Sequence, residues 1–263
     1  MSTPPILELQ NVCHRIGTKS VLTGISISVG KGEYLSLIGP NGAGKTTLLK
    51  ILCRILKGAA GEIRLNGSPL ASFSPRDLAR RLAYVPQADG RVFPFTVRDF
   101  VLMGRYPWRD AFAPATEADH RAAAEALELT GMESFADRRV NGLSAGERQK
   151  AYLAAALAQG TDILLLDEPA TFLDPRHEED IIRTLKRLHV TRGLTILSVT
   201  HDINRALHAS TRVLALKNGS VAFLGSPAEL ARPGALEDIF GFAFTRFPHP
   251  DTGKPLVLPK EMP

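Results

Sequence analysis

Over the first 90 residues the apolar and polar positions change in short steps, the pattern of strands and turns around one helix. Ile6-Leu7-Glu8-Leu9-Gln10-Asn11-Val12 mixes the two kinds of residue as a strand does. Ile25-Ser26-Ile27-Ser28-Val29 alternates strictly and ends at the turn Gly30-Lys31-Gly32. Tyr34 to Ile38 is a more buried strand entering a glycine-rich loop, and Thr47 to Leu56 is apolar at helical spacing. Glu62 to Gly67 is another strand with an Asn-Gly turn. Ser74, Pro75 and Asp77 form a helix start, with Ser as N-cap and Pro in the first position.

Between about 95 and 160 the pattern turns helical. Thr96 and Asp99 cap a helix whose apolar face is Val97, Phe100 and Val101, and Gly104 stops it. Thr116 and Asp119 cap a second helix running to about Leu129. Arg105 to Pro114, with two prolines, reads as a loop. From Asp162 to Gly219 strands and helices alternate. Ile163 to Leu166 and Leu194 to Val199 are unbroken apolar strands, as in a parallel sheet covered on both faces, with a helix from Pro175 to His189 between them. The whole predicts an α/β core in three stretches: core with a β subdomain over 1–90, a helical insertion over 91–160, and core again over 161–240. The extension 241–263, rich in proline, is expected to be irregular, with room for one short hairpin around Asp251-Thr252-Gly253.

Composition adds limits. The chain has 263 residues, 44% apolar and 22% charged, which excludes a disordered chain. Its longest apolar run, Ala151 to Ala158, falls well short of the roughly 20 residues a membrane span needs. The N-terminus lacks the basic-then-apolar pattern of a secretory signal. Cys13 and Cys53 form neither a disulfide framework nor a metal site, as suits a reducing cytosol. The net charge of +5 is only a weak pointer to an anionic partner.

Gly39-Pro40-Asn41-Gly42-Ala43-Gly44-Lys45-Thr46-Thr47 lies between a predicted strand and a predicted helix. It matches the phosphate-loop pattern G-x-x-x-x-G-K-[ST]. Glycines let successive backbone N–H groups turn inward, and those donors with the helix N-terminus cradle phosphate oxygens. Lys45 is placed to reach the β and γ phosphates, and the Thr46 hydroxyl to bind Mg²⁺. The run Ile163-Leu164-Leu165-Leu166-Asp167-Glu168-Pro169 ends a buried strand in two acids, at the end that faces a ligand crevice in such sheets. Asp167 suits Mg²⁺, and Glu168 suits polarising an attacking water.

Leu143-Ser144-Ala145-Gly146-Glu147-Arg148-Gln149 precedes these acids. Ser144 as N-cap with Glu147 three residues on forms a capping box, and a capped helix start suits an anion. Taken together, the three stretches resemble the ATP-binding-cassette ATPases, the nucleotide-binding subunits of ABC transporters, over about residues 5–240. The resemblance implies a P-loop NTPase (RecA-like) α/β core with an N-terminal antiparallel β subdomain and an inserted α-helical subdomain. It implies ATP and Mg²⁺ as ligands, and a dimer in which Ser144, Ala145, Gly146 and Glu147 clamp the γ-phosphate of ATP held by the other copy. Glu147 stands where the family has Gln, and Ala145 replaces the first of two glycines, where it could crowd the loop.

The same resemblance assigns Gln87 as the Q-loop glutamine that binds Mg²⁺ or water, Asp174 as the D-loop acid that crosses to the partner, and His201 as the switch histidine beside the γ-phosphate. The remaining histidines, His177 among them, read as surface or packing residues. Ile16 occupies the position where the family stacks an aromatic on adenine, which implies looser discrimination between ATP and GTP. Phe93-Pro94-Phe95-Thr96-Val97, Val101 to Trp108 and the tail from His249 to Pro259 look like the subfamily serving iron–siderophore, haem and cobalamin importers. That implies a peripheral protein at the cytoplasmic face of the inner membrane, a separate permease docking near Phe93 to Arg105 with a rim of Arg91, Arg98, Arg105 and Arg109, and indirectly a substrate-binding protein. Other cargoes (a metal ion, molybdate, an exported lipid) stay open. A nucleic-acid-associated cassette is disfavoured, because neither a long coiled-coil insertion nor a second cassette is present.

Overall fold

The computed structural model describes residues 4–87, 93–110, 113–171, 173–250 and 252–260. In chain order the strands are β1 (Leu7–Ile16), β2 (Lys19–Val29), β3 (Tyr34–Ile38), β4 (Ala60–Leu65), β5 (Ser68–Pro69), β6 (Leu82–Val85), β7 (Ile163–Asp167), β8 (Thr195–Val199), β9 (Arg212–Lys217), β10 (Ser220–Gly225), β11 (Phe244–Pro248) and β12 (Pro255–Pro259). The helices are α1 (Lys45–Leu52), α2 (Pro75–Ala79), α3 (Val97–Met103), α4 (Glu117–Thr130), α5 (Ala145–Ala158), α6 (Pro175–Arg192), α7 (Ile203–Ala209), α8 (Pro227–Leu230) and α9 (Ala235–Phe240). Two compact units result: Met1–Ser72 with Thr195–Pro263, and Phe73–Leu194. No helix among the described residues is long and apolar enough to cross a membrane.

The first unit contains an antiparallel sheet in the order β2-β1-β4-β5. Asn66 (φ +49°) and Gly67 (φ +75°) make the tight turn between β4 and β5, the conformation for which Asn-Gly is favoured. The same unit holds parallel strands, with β3 between β8 and β9, and β10 antiparallel to β9. All five residues of β3 and of β8 are buried, so both faces are covered and the side chains need not alternate. Helix α1 begins two residues earlier than expected, at Lys45, and ends at Leu52 rather than Leu56.

The C-terminal extension forms the short hairpin expected around Asp251-Thr252-Gly253, and it is more regular than the rest of that expectation. Strands β11 and β12 pair from Phe244↔Pro259 to Pro248↔Pro255. Phe244 and Val257 anchor the hairpin in a core with Ile38, Val213 and Leu236. The Asn204 amide grips β12, donating to the Val257 carbonyl (2.9 Å) and accepting from its N–H (2.8 Å). Pro248, Pro255 and Pro259 stand at strand ends, where a missing N–H costs little. Asp251, at the expected tip, lies outside the described residues.

In the second unit β6 and β7 pair in parallel, Leu82↔Ile163 through Val85↔Leu166. Helices α3, α4 and α5 enclose a core that includes Val97, Val101, Leu127, Val140 and Ala154. Every expected cap is present: Ser74, Thr96, Thr116 and Ser144 each accept from the backbone N–H three residues on. Gly104 does end α3, but its backbone is right-handed. A Cβ there would come within 2.1 Å of the Ala155 carbonyl oxygen, so the glycine serves the close approach of α5. The expected loop after Arg105 holds a short 3-10 turn, Tyr106–Trp108. Arg105 is half-buried and engaged within the helical unit rather than free on a rim. Its Nε donates to Asp119 (3.1 Å) and its Nη1 to the Ala158 carbonyl (2.8 Å), tying the start of α4 to the end of α5.

Asp119 carries an acid-stability prediction. Its hydrogen bond from the Thr116 hydroxyl, then the Thr116 N–H and Arg105, hold its pKa at about 2. A depressed carboxylate pKa stabilises the fold above the unfolded value of about 3.9, and that contribution is lost as pH falls towards the folded one. Urea midpoints measured from pH 5 to pH 2 are therefore expected to fall less steeply for Asp119→Asn than for wild type. Parallel curves would remove the assigned role.

Candidate functional site

In the first unit the phosphate loop joins β3 to α1. Gly39 (φ +135°) lies so close to β9 that a Cβ would sit 2.0 Å from the Leu216 carbonyl oxygen. Gly44 (φ +99°) would meet Leu22 Cδ2 at 2.5 Å. Gly42 (φ +77°) has open space, so its glycine answers to backbone conformation alone. Gly44 is also the N-cap of α1 and supplies no side-chain cap. Uncapped N–H groups at a helix start are anion donors. Lys45, 7% exposed, folds back over the loop, and its Nζ donates to the carbonyls of Gly39 (2.7 Å) and Pro40 (3.0 Å). The ammonium thus lies beside the loop it is expected to serve. Pro40, Thr46 and Thr47 are half-buried, Ala43 is buried, and Asn41 is exposed at the loop's crest.

His201 is brought to the same edge of this unit. Leu37 pairs with Val199 across parallel β3 and β8, and the Thr200 N–H donates to the Leu37 carbonyl (3.1 Å). The chain therefore passes from β3 into Gly39 and from β8 into exposed His201 at neighbouring strand ends, the usual ligand edge of a parallel sheet. Ile16, at the end of β1, is 56% exposed, an apolar side chain left uncovered by its own chain.

The second unit carries the acids. Asp167 ends β7, 3% exposed, and Tyr84 from the paired strand β6 donates its hydroxyl to Asp167 Oδ2 (3.1 Å). Glu168 follows with φ +50°, a left-handed backbone in a residue other than glycine. That conformation costs about 1–3 kcal/mol and marks a position held for a purpose. Two groups hold the Glu168 carboxylate: the Thr171 hydroxyl (3.0 Å) and the Gln87 amide (3.3 Å), both on Oε2. The structure thus joins two sequence-predicted site residues, Gln87 and Glu168.

At the start of α5 the capping box forms in full. The Ser144 N–H donates to Glu147 Oε2 (2.7 Å) and the Glu147 N–H to the Ser144 hydroxyl (3.3 Å). The Ser144 N–H holds the Glu147 carboxyl below the usual carboxylate range, so Glu147 fills the family's Gln position as an anion. Ala145 is exposed and crowds nothing in its own chain. Asp174 caps α6, accepting from the N–H groups of Arg176 (3.0 Å) and His177 (3.1 Å) and from His177 Nδ1 (2.5 Å).

A family profile described as ABC transporter matches residues 22–171, more than half the chain. The chain belongs to the ABC transporter family. Its relatives include the iron(3+)-hydroxamate import ATP-binding protein FhuC of Bacillus subtilis, 40% identical over 92% of this chain and 90% of that one. The hemin import ATP-binding protein HmuV of Streptomyces coelicolor is 41% identical over 94% and 88%. Among solved structures, an inward-facing metal-chelate type ABC transporter aligns with a TM-score of 0.85 over 98% of both chains, at 24% identity, and shares the fold. As an ABC ATPase the protein binds ATP and hydrolyses it to drive transport.

Two side chains in this ABC ATPase went unread in its sequence, Tyr84 and Thr171, and His177 was read only as a surface or packing residue. Thr171 was within reach, since a hydroxyl three residues after an acid at a turn is a local signal. Tyr84 was not, because its partner Asp167 is remote in the chain; the Asp174 contact of His177 spans three residues and was readable, but its approach to Gly146 is set by helix packing. The donors expected for Mg²⁺ are the Thr46 hydroxyl, the Gln87 amide oxygen and the Asp167 carboxylate, all hard oxygens of the kind that ion takes. Asp167, a buried carboxylate at the end of β7 oriented by the Tyr84 hydroxyl, fits that use by its chemistry.

Proposed function

We propose that this ABC ATPase powers an importer of iron–siderophore, haem or cobalamin from the cytoplasmic face of the inner membrane. The reading is supported above all by relatives named for import of iron(3+)-hydroxamate and hemin, matched over about nine-tenths of both chains. Backbone N–H groups of Gly39 to Thr47 and the Lys45 ammonium bind the ATP phosphates, and Ile16 covers the base. Thr46, Gln87 and Asp167 would hold Mg²⁺, which would supply neutralisation of phosphate charge. Glu168 accepts a proton from the attacking water, and His201 holds the γ-phosphate in line. Ser144, Ala145, Gly146 and Glu147 act on ATP held by a second copy, with Asp174 at the crossing, so nucleotide draws two copies together and its hydrolysis releases them. The stretch 91–160 serves as the arm that carries this motion.

A separate permease docks near Phe93 to Arg105, and the structure narrows the residues available to it. Phe93 and Phe100 pack on each other and on Tyr152 (centroids 5.3–6.3 Å apart), so they belong to the core. Phe95, Met103, Tyr106 and Trp108 remain exposed, Tyr106 at 72%. Arg98 is paired with Asp137 (3.0 Å), and Arg91 lies outside the described residues. These exposed apolar side chains suit a short amphipathic helix.

The test is to purify the chain with its permease in lipid and measure ATP and GTP turnover as loaded binding proteins are added. One carrying a siderophore, haem or cobalamin is expected to stimulate turnover several-fold. Stimulation only by a metal-ion or molybdate binding protein would overturn the cargo. Salt-sensitive DNA binding without any co-purifying membrane protein would overturn transport.

A further inference from the structure

Gly146, the glycine kept in the signature stretch, has no conformational need to be glycine. It lies in α5 without a positive φ, where glycine is less stable than alanine by about 0.5–1 kcal/mol. What excludes a side chain is the neighbouring helix α6. A Cβ at Gly146 would stand 2.6 Å from His177 Cγ, 2.8 Å from Cδ2 and 2.9 Å from Cβ. Carbon atoms ordinarily approach to about 3.5–4.0 Å. The atoms met are the root of the imidazole: turning the ring about Cα–Cβ would carry Cγ and Cδ2 away, while Cβ is fixed to the backbone of α6.

The ring is not at liberty to rotate, because Asp174 Oδ2 holds Nδ1 at 2.5 Å. Nδ1 carries the proton in that contact, since hydrogen bonds keep the Asp174 carboxyl below its usual pKa, the His177 N–H foremost. The second oxygen, Oδ1, is fixed by the N–H groups of Arg176 and His177 at the first turn of α6. His177 therefore bridges two motifs. One side of its ring presses on the signature turn, and the other is tied to the D-loop acid. Its remaining edge borders a cleft of about 160 Å³ lined also by Glu147, Lys150 and Asp180.

We propose that His177 is a positioning residue of the signature. Clamped by Asp174, its ring sets the orientation of Ser144 to Glu147, and Gly146 is glycine in order to seat that ring. The D-loop carboxylate thereby acts on the signature turn through the imidazole. This rests on the reading that the signature engages ATP held by a second copy.

The experiment measures kcat in the permease complex and ATP affinity of the isolated chain for Gly146→Ala, His177→Ala, the double variant Gly146→Ala with His177→Gly, His177→Asn and Ser144→Ala. His177→Ala is expected to lower kcat about fivefold or more while ATP affinity, set by the phosphate loop, stays within about twofold. His177→Asn, whose amide N–H can stand where Nδ1–H stands, is expected to keep at least about half of wild-type kcat. Gly146→Ala is expected to lose about tenfold, and the double variant to recover at least about fivefold over it, because His177→Gly removes the Cβ as well as the ring that the added methyl would meet. A double variant no better than Gly146→Ala would overturn the proposal, as would wild-type kcat in His177→Ala. Loss of ATP affinity in both His177 variants would do so too, marking a general structural role. Full kcat in Ser144→Ala would bring down the signature reading itself. Loss in Ser144→Ala with none in His177→Ala would bring down the coupling alone.

Discussion

Glu168→Gln is expected to bind ATP and lose about 10²–10⁴ of its turnover, the usual worth of a general base. The substitution removes the proton acceptor and little else. A Gln side chain has the same length and keeps an oxygen for the Thr171 hydroxyl, which reaches Glu168 Oε2 at 3.0 Å. It lives with the same left-handed backbone (φ +50°), since neither residue is favoured there. The Gln87 amide, 3.3 Å from the same oxygen, can still donate to it. With chemistry stopped and binding intact, ATP is expected to trap the two-copy state, seen as a shift to dimer in size-exclusion chromatography. Wild-type turnover in this variant would show that Glu168 is not the base.

Lys45→Ala is expected to lose about 10²–10³ in kcat/KM, the cost of deleting one preorganised donor to a developing charge. The structure adds a second effect. The Nζ that is to meet the phosphates now satisfies the Gly39 and Pro40 carbonyls, so its removal also leaves those oxygens without that donor. Retention of a fluorescent ATP analogue by the variant at wild-type affinity, with full turnover, would sink the assignment of the phosphate loop.

The legible part of the site is local in the chain. A strand, a glycine loop, Lys45 and Thr46, and a helix follow one another, so spacing alone exposes the cradle. The capping boxes at Thr116 and Ser144 are contacts between residues three apart, and all were readable. Buried parallel strands announce themselves by unbroken apolar runs, and Asp167 by its place at the end of one. The hairpin of the tail was legible at Asp251-Thr252-Gly253, but prolines counted without regard to position hid how regular its strands are. At strand ends they are compatible with a hairpin, and Phe244 and Val257 supply the burial that holds it.

By itself the sequence determined which residues are candidates for the chemistry: the loop from Gly39 to Thr47, the acids Asp167 and Glu168, and the capped turn at Ser144. Each is specified by neighbours within a few residues, and backbone stereochemistry acts over that range. Only the tertiary structure decided what holds those residues in place. Tyr84 meets Asp167 because β6 pairs with β7, and Arg105 is half-buried because α4 and α5 converge on it. Gly104 is glycine for Ala155, and Gly146 has no room for a side chain beside His177. These contacts are made between separate elements. Their distances come from packing, and no spacing along the chain encodes them.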